Sequence, residues 1–365
     1  MVSSTGINAY VLPKRAEIES LARKAHEWLA SSNRTTRPEA LAALAQMVLG
    51  PMAKELGRQR LLIVADGALE LVPFAALPDP GISTQPLAVN HELVSLPSAS
   101  TLATLRREGT GRPSPNNTVA ILADPVFSED DSRVVSRVGR AQAAVTMAQL
   151  AKPLQRALAD SGMDGVRIPR LPGTRREAAA IRALLPASGY RESLDFEASR
   201  EAIAGRDVAE AGIVHVATHG LLNTVHPELS GLVLSLVDQQ GKPRDGFLRL
   251  HEIYNLELKA GLVVLSACQT GLGKEIRGEG LVGLTRGFMY AGAPRVMASL
   301  WKVDDRATSE LMKLFYQEIL SAPKAGTPRL TPAAALRTAQ VAMWKSKTWN
   351  DPYYWAAFTL QGDWK

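Results

Sequence analysis

A chain of 365 residues, 46% hydrophobic and 21% charged, can bury a large core, which excludes a disordered or fibrous protein and points to one large α/β domain or two lobes. Its single cysteine cannot form an internal disulfide, no basic-then-apolar leader opens it, and no apolar run is long enough for a bilayer, so a cytoplasmic protein without a membrane partner is expected. The net charge of +6 is scattered rather than gathered into basic runs interleaved with aromatics, so nucleic acid is not an expected partner.

In chain order, amphipathic helices are predicted near residues 15–30 and 37–57, followed by a buried strand at RLLIVAD, residues 60–66. After HELVSLPSAS and a short helical stretch, EGTGRPSPNN (Glu108–Asn117) has the clearest linker composition. It sets a lobe boundary between residues 1–112 and 113–365. The second lobe opens with the strand TVAILADPV, then a charged stretch SEDDSRVVSRVGR, then LPGTRREAAAIRALL, where Pro172 and Gly173 mark a helix start. Strands IVHVATHG, LVVLSACQT and RVMASLWKV follow, with the helix GEGLVGLTRGFMYAGA between the last two. This βαβ alternation predicts a mostly parallel sheet flanked by helices. DQQGKPRDG and GLGKEIRGEG read as surface loops, and the aromatic tail WNDPYYWAAFTLQGDW as a final strand packed on the sheet rather than a ligand platform.

His219 and Cys268 each fall where a buried strand opens into a loop, and each is followed by glycine within three residues. That carboxyl edge is where open α/β sheets keep their chemistry. A histidine about 50 residues upstream of an Ala-Cys core is also the order seen in caspases, although the rest of that local signature is absent here. Read as a dyad, His219 supplies the base that makes the Cys268 thiolate and the acid that protonates a leaving amine. The backbone amides of Gly220 and Cys268 are the candidate oxyanion donors. The competing reading, a small buried cysteine beside a satisfied strand-end histidine, does not require this shared placement.

Other chemistries fit less well. HVATH offers His215 and His219 at a zinc-helix spacing, but the glutamate of that motif is missing and a strand would hold the rings apart, so no metal is expected and His215 reads as a buried histidine. CQTGLGKE lacks the first glycine and the final Ser or Thr of a phosphate loop, and no serine sits in a G-x-S-x-G elbow. No cofactor is expected.

VHVATHG, PELSGLVLS, DGFLRLHEIYNL, LVVLSACQTGLGKEIRGEGLVGLTRGFMYAGAPRVMASLWKVDDRAT and PYYWAAFTLQGDW, in this order, closely resemble the CHAT domain family. RLLIVADGALELVPFAALP, LPSAS, LADPVF and LPGTRREA extend the resemblance over nearly the whole chain. It implies a caspase-hemoglobinase fold with an N-terminal pseudo-caspase lobe and an active C-terminal lobe, with the dyad at His219 and Cys268. The implied activity is that of a cysteine endopeptidase acting on a protein in a regulatory or defence pathway. A catalytically silent scaffold or switch is the alternative.

CHAT proteins are often fused to tetratricopeptide repeats, so an activating sensor or repeat region outside this chain is an expected partner. ASLWKVDDRA is similar to a separase stretch in which an acid lines the substrate pocket, and the matching residue is Asp305. This implies cleavage after Arg or Lys. Asp304 and Asp305 are equally suited to capping the following helix, and Asp124 is a further pocket candidate. Under basic selectivity, Lys242, Arg244, Lys274 and Arg277 become candidate self-cleavage sites, against a plain reading as solvated loop charge.

Overall fold

The computed structural model describes residues 1–3, 6–32, 39–109, 116–135, 152–160, 167–223, 226–266, 268–269, 279–321 and 329–364. Short apolar segments build an eight-stranded sheet from β1 (Leu61–Ile63), β2 (Leu93–Ser95), β3 (Val119–Pro125), β4 (Tyr190–Asp195), β5 (Ile213–Ala217), β9 (Leu262–Leu265), β11 (Arg295–Ser299) and β12 (Phe358–Gly362). The missing numbers belong to a second sheet, made of β6 (His219–Leu221), β7 (Gly231–Val233), β8 (Phe247–Arg249) and β10 (Cys268–Gln269).

The large sheet runs β1-β2-β12-β11-β9-β5-β3-β4. Every neighbouring pair is parallel except β11 and β12. The mixed α/β architecture expected from the alternation is therefore present, a mostly parallel sheet flanked by helices. Every side chain of β3 and β9 is buried, as strands covered on both faces require. Each fully buried Val, Leu or Ile there contributes about 1.5–3 kcal/mol.

The main helices are α1 (Arg15–Leu29), α2 (Glu39–Val48), α3 (Ala99–Gly109), α4 (Lys152–Asp160), α5 (Pro172–Arg182), α6 (Glu279–Tyr290), α7 (Asp305–Leu320) and α8 (Pro332–Lys345). α7 shows how sequence period becomes packing. Ala307, Leu311, Met312, Phe315 and Ile319 recur on one buried stripe, and the helix packs against α5 and α8. The predicted helix over 37–57 is shorter than expected. Residues Gly50–Met52 form a 3-10 turn because Pro51 has no amide hydrogen to continue the α2 ladder.

One hydrophobic cluster extends from Ala22 and Leu29 of α1 to Phe358 and Leu360 of β12. The chain's last strand, β12, pairs with β2, so sheet and core pass continuously between the two expected lobes. Residues 110–115, where the expected boundary falls, lie outside the described residues, as does GLGKEIRGEG except for its last two positions.

The run IVHVATHG does not stay in one sheet. β5 ends at Ala217, and Thr218 donates its hydroxyl hydrogen to the Val233 carbonyl, drawing the chain toward β7. His219 then opens the second sheet, ordered β8-β7-β6-β10. β6 and β7 are antiparallel, whereas β6 and β10 are parallel.

Candidate active site

Two successive registers place His219 and Cys268. In the large sheet β5 and β9 run side by side with His215 opposite Val264 and Val216 opposite Leu265. Both strands then leave that sheet, and in the second one His219 pairs with Cys268 and Gly220 with Gln269. Adjacent strands lie about 4.8 Å apart, so the sheet sets the backbones of His219 and Cys268 next to each other. Gly220, one of the two oxyanion candidates, is buried and occupies the next register position.

His219 is 2% exposed. Its Nε2 lies 2.7 Å from the Pro169 carbonyl oxygen, a hydrogen-bond distance. A carbonyl only accepts, so Nε2 carries the proton and the neutral ring keeps its lone pair on Nδ1. Among the described residues, buried Nδ1 has no hydrogen-bond partner. Phe127 packs on the ring with centroids 5.1 Å apart. Burial pushes the imidazolium down to about 4, and Lys302 adds to this, while the Pro169 carbonyl and Asp305 oppose it. At neutral pH His219 is therefore a neutral imidazole in a fixed tautomer.

A buried polar group lies directly behind these strand ends. Glu177 of α5 accepts a hydrogen bond from Ser266 Oγ at 2.9 Å, two residues before Cys268. Its other oxygen lies 3.1 Å from His215 Nε2, close but not aligned as a hydrogen bond, and His215 Nδ1 is 3.0 Å from the Tyr316 hydroxyl. His215 is fully buried and engaged by these side chains. Among the described residues no cluster of His, Cys, Asp or Glu could hold a metal ion.

The three aspartates have distinct surroundings. Asp304 caps α7, accepting from the backbone amides of Arg306 at 2.9 Å and Ala307 at 3.1 Å. Asp305 is the first residue of α7, its side chain 40% exposed, with Arg176 Nη2 4.0 Å away. A Cβ at Gly173 would overlap its side chain, so α5 approaches Asp305 by its backbone. Asp124, in contrast, is fully buried, and its carboxylate already accepts from Arg170 at 2.9 and 2.7 Å and from Arg175 at 2.7 Å. With both oxygens engaged, Asp124 offers no carboxylate face to a substrate in this arrangement.

Of the candidate self-cleavage residues, Arg244 is tied to the Phe196 carbonyl at 3.1 Å and to Glu201 at 3.0 Å, and the Lys242 amide donates to Asp238 at 2.8 Å. Lys274 and Arg277 lie outside the described residues. Pro169, Glu177 and Ser266 went unnoticed in the sequence as site residues. Pro169 contributes a main-chain carbonyl, which no side-chain motif announces. Glu177 and Ser266 sit inside the quoted runs LPGTRREA and LSACQT, where helix-start and strand-end signals masked their pairing.

Comparison with known proteins is consistent along nearly the whole chain. Tetratricopeptide repeat protein 28 of Mus musculus is 26% identical over 88% of this chain, and its Homo sapiens counterpart 27% identical over 88%. The chain spans 13% of the length of each. Among solved structures, separase in the Saccharomyces cerevisiae separase–securin complex aligns over 83% of this chain and 16% of that one, with 14% identity and a TM-score of 0.46. The Arg specific cysteine proteinase gingipain R aligns over 96% of this chain and 74% of its own, with 12% identity and a TM-score of 0.45. A model of the CHAT domain matches residues 38–363, and the chain belongs to that family.

Proposed function

We propose that this chain is a cysteine endopeptidase using Cys268 as nucleophile and His219 as general base and acid. The observation that carries this is the state of His219: Nε2 is committed to the Pro169 carbonyl, Nδ1 is unpaired among the described residues, and the residue stands in register with Cys268. His215, equally buried, also has one unbonded nitrogen, but its Nε2 lies 3.1 Å from the Glu177 carboxylate, and the register of His219 with Cys268 is what separates the two.

In the reaction, Nδ1 takes the thiol proton and the thiolate attacks the scissile carbonyl carbon. The Gly220 and Cys268 amides hold the resulting oxyanion. Collapse breaks the C–N bond, the Nδ1 proton passes to the leaving amine, and a thioester remains. Water, deprotonated by Nδ1, then hydrolyses the thioester and returns the thiol.

Asp305 is the residue proposed to select a basic side chain before the scissile bond. It combines a half-exposed carboxylate with a field that reaches His219, and its ion pair with Arg176, at 4.0 Å, is long enough for an incoming guanidinium to displace. The substrate is a protein, and a regulatory or defence setting suits a site that a partner or repeat segment outside this chain switches on. Among the described residues no helix is long and apolar enough to cross a membrane.

The test is hydrolysis of fluorogenic peptides bearing Arg, Lys, Leu or Asp before the reporter. Activity on Arg and Lys, abolished in Cys268→Ala and His219→Ala and losing its basic preference in Asp305→Asn, is the expected result. Turnover that survives Cys268→Ala would overturn the dyad, and equal cleavage after all four residues would overturn the role of Asp305.

A further inference from the structure

We propose that Asp124 is a positioning residue for His219, acting through Arg170 and the Pro169 carbonyl. The inference rests on the reading of His219 as the base and adds a group that never touches substrate.

Asp124 lies in a left-handed conformation, φ 50°, which a non-glycine residue holds only where its surroundings enforce it. Here the enforcement is visible. The Asp124 amide donates to Thr174 Oγ1 at 3.0 Å, and its carbonyl accepts from Arg133 at 2.7 Å. Its carboxylate takes both guanidinium arms of Arg170, the Nε of Arg175, and Arg133 Nη1 at 3.2 Å. Asp195, at φ 53° on the end of the neighbouring strand β4, shares Arg133 and Arg175, and Asp131 closes the group on Arg133. Three guanidiniums and two further carboxylates thus gather around one fully buried aspartate.

The consequence falls on the segment between His219 and α5. Asp124 grips it twice, at Arg170 through the side chain and at Thr174 through the backbone amide. Pro169 immediately precedes the first grip. Its ring fixes φ, so the direction of its carbonyl depends on the peptide plane it shares with the Arg170 amide. Holding Arg170 in a bidentate pair holds that plane, and the plane aims the acceptor that fixes the His219 tautomer and ring.

The experiment exploits the single cysteine of the chain: alkylation by iodoacetamide reports Cys268 alone and needs no substrate. Its pH–rate profile is measured in the full chain for wild type, His219→Ala, Asp124→Asn and Arg170→Ala, each checked for folding by circular dichroism. Arg170 is partly exposed, so its variant keeps the test open if Asp124→Asn unfolds. Wild type is expected to alkylate faster at pH 7 than His219→Ala, because the neutral Nδ1 takes the thiol proton as the sulfur attacks. Asp124→Asn and Arg170→Ala are expected to shift toward the His219→Ala profile, losing about tenfold or more of the rate at pH 7, as misplacement of a base by less than an ångström implies. The double variant should be no slower than either single one, because both act on one link. Folded single variants with the wild-type profile would overturn the role of Asp124 and leave the dyad standing. Identical wild-type and His219→Ala profiles would overturn the dyad itself.

Discussion

Protonating His219 should cost this fold stability, and the size of the effect follows from its burial. The imidazolium titrates at about 4 in the folded chain against 6.5 when unfolded, chiefly because charging it means charging a group enclosed by Phe127 and the strand ends. Between those values the unfolded chain binds more protons than the folded one, so stability rises with pH there. The contribution is fully present above pH 6.5 and is lost as pH falls toward 4. One pKa unit is worth about 1.4 kcal/mol, so the whole window carries about 3 kcal/mol and the step from pH 7 to pH 5 about 2 kcal/mol. Urea unfolding of wild type and His219→Gln at both pH values isolates this, because carboxylates elsewhere titrate in both proteins and cancel. Glutamine retains an N–H able to meet the Pro169 carbonyl. The variant is expected to lose about 2 kcal/mol less than wild type on acidification, read as a smaller drop in midpoint at unchanged slope. Equal losses would mean that His219 is hydrated in the folded protein, and the neutral, enclosed base would have to be abandoned.

Other substitutions separate structural from site roles. Asp304→Ala removes the cap of α7 and should lower stability by about 1 kcal/mol without altering preference for Arg or Lys, measured by melting and by peptide hydrolysis. Gly173→Ala drives a methyl into the Asp305 side chain, with an overpacking cost of about 1–3 kcal/mol and a fall in kcat/KM that is larger for basic peptides than for others. Ser266→Ala leaves Glu177 Oε2 without its donor at 2.9 Å. The unpaired buried carboxylate should cost about 1–3 kcal/mol, visible as a lowered urea midpoint.

The parts of this fold that were legible in the sequence are those whose side chains meet one kind of environment along their whole length. VAILADP and LVVL are buried on both faces and read as parallel strands without context, and the stripe of α7 repeats at helical spacing. The edge strand Tyr190–Asp195 escaped notice because it is mostly polar and only partly buried, a pattern shared with loops. The second sheet escaped because its strands are two or three residues long, too short for any period. His219 and Cys268 stood out as rare side chains at strand ends. The acidic candidates did not sort themselves, since Asp caps helices, pairs with arginine and lines pockets equally well. Only the hydrogen bonds distinguish Asp304 as a cap and Asp124 as the centre of an arginine cluster.

The separation of His219 and Cys268 in sequence has a physical content that a motif search treats as a bare number. Ile213 pairs with Leu262 and Val216 with Leu265, each 49 residues apart, and His219 pairs with Cys268 at the same separation after both strands have changed sheets. The register therefore survives the crossing, because the chain spends the same number of residues leaving β5 as leaving β9. Side chains on a strand alternate between faces, so one residue more on either side would turn one partner away from the other. What the proposed dyad requires is this equality across the sheet change. The residues between Leu221 and Leu262, with their hairpin and surface loop, are free to vary in length as long as both strands return to the same neighbours. Glu177 stands where that equality is enforced, touching His215 on β5 and Ser266 just beyond β9, and α5 carries it out from the segment that also presents the Pro169 carbonyl. Strand register, base tautomer and the approach to Asp305 thus converge on residues 169–177.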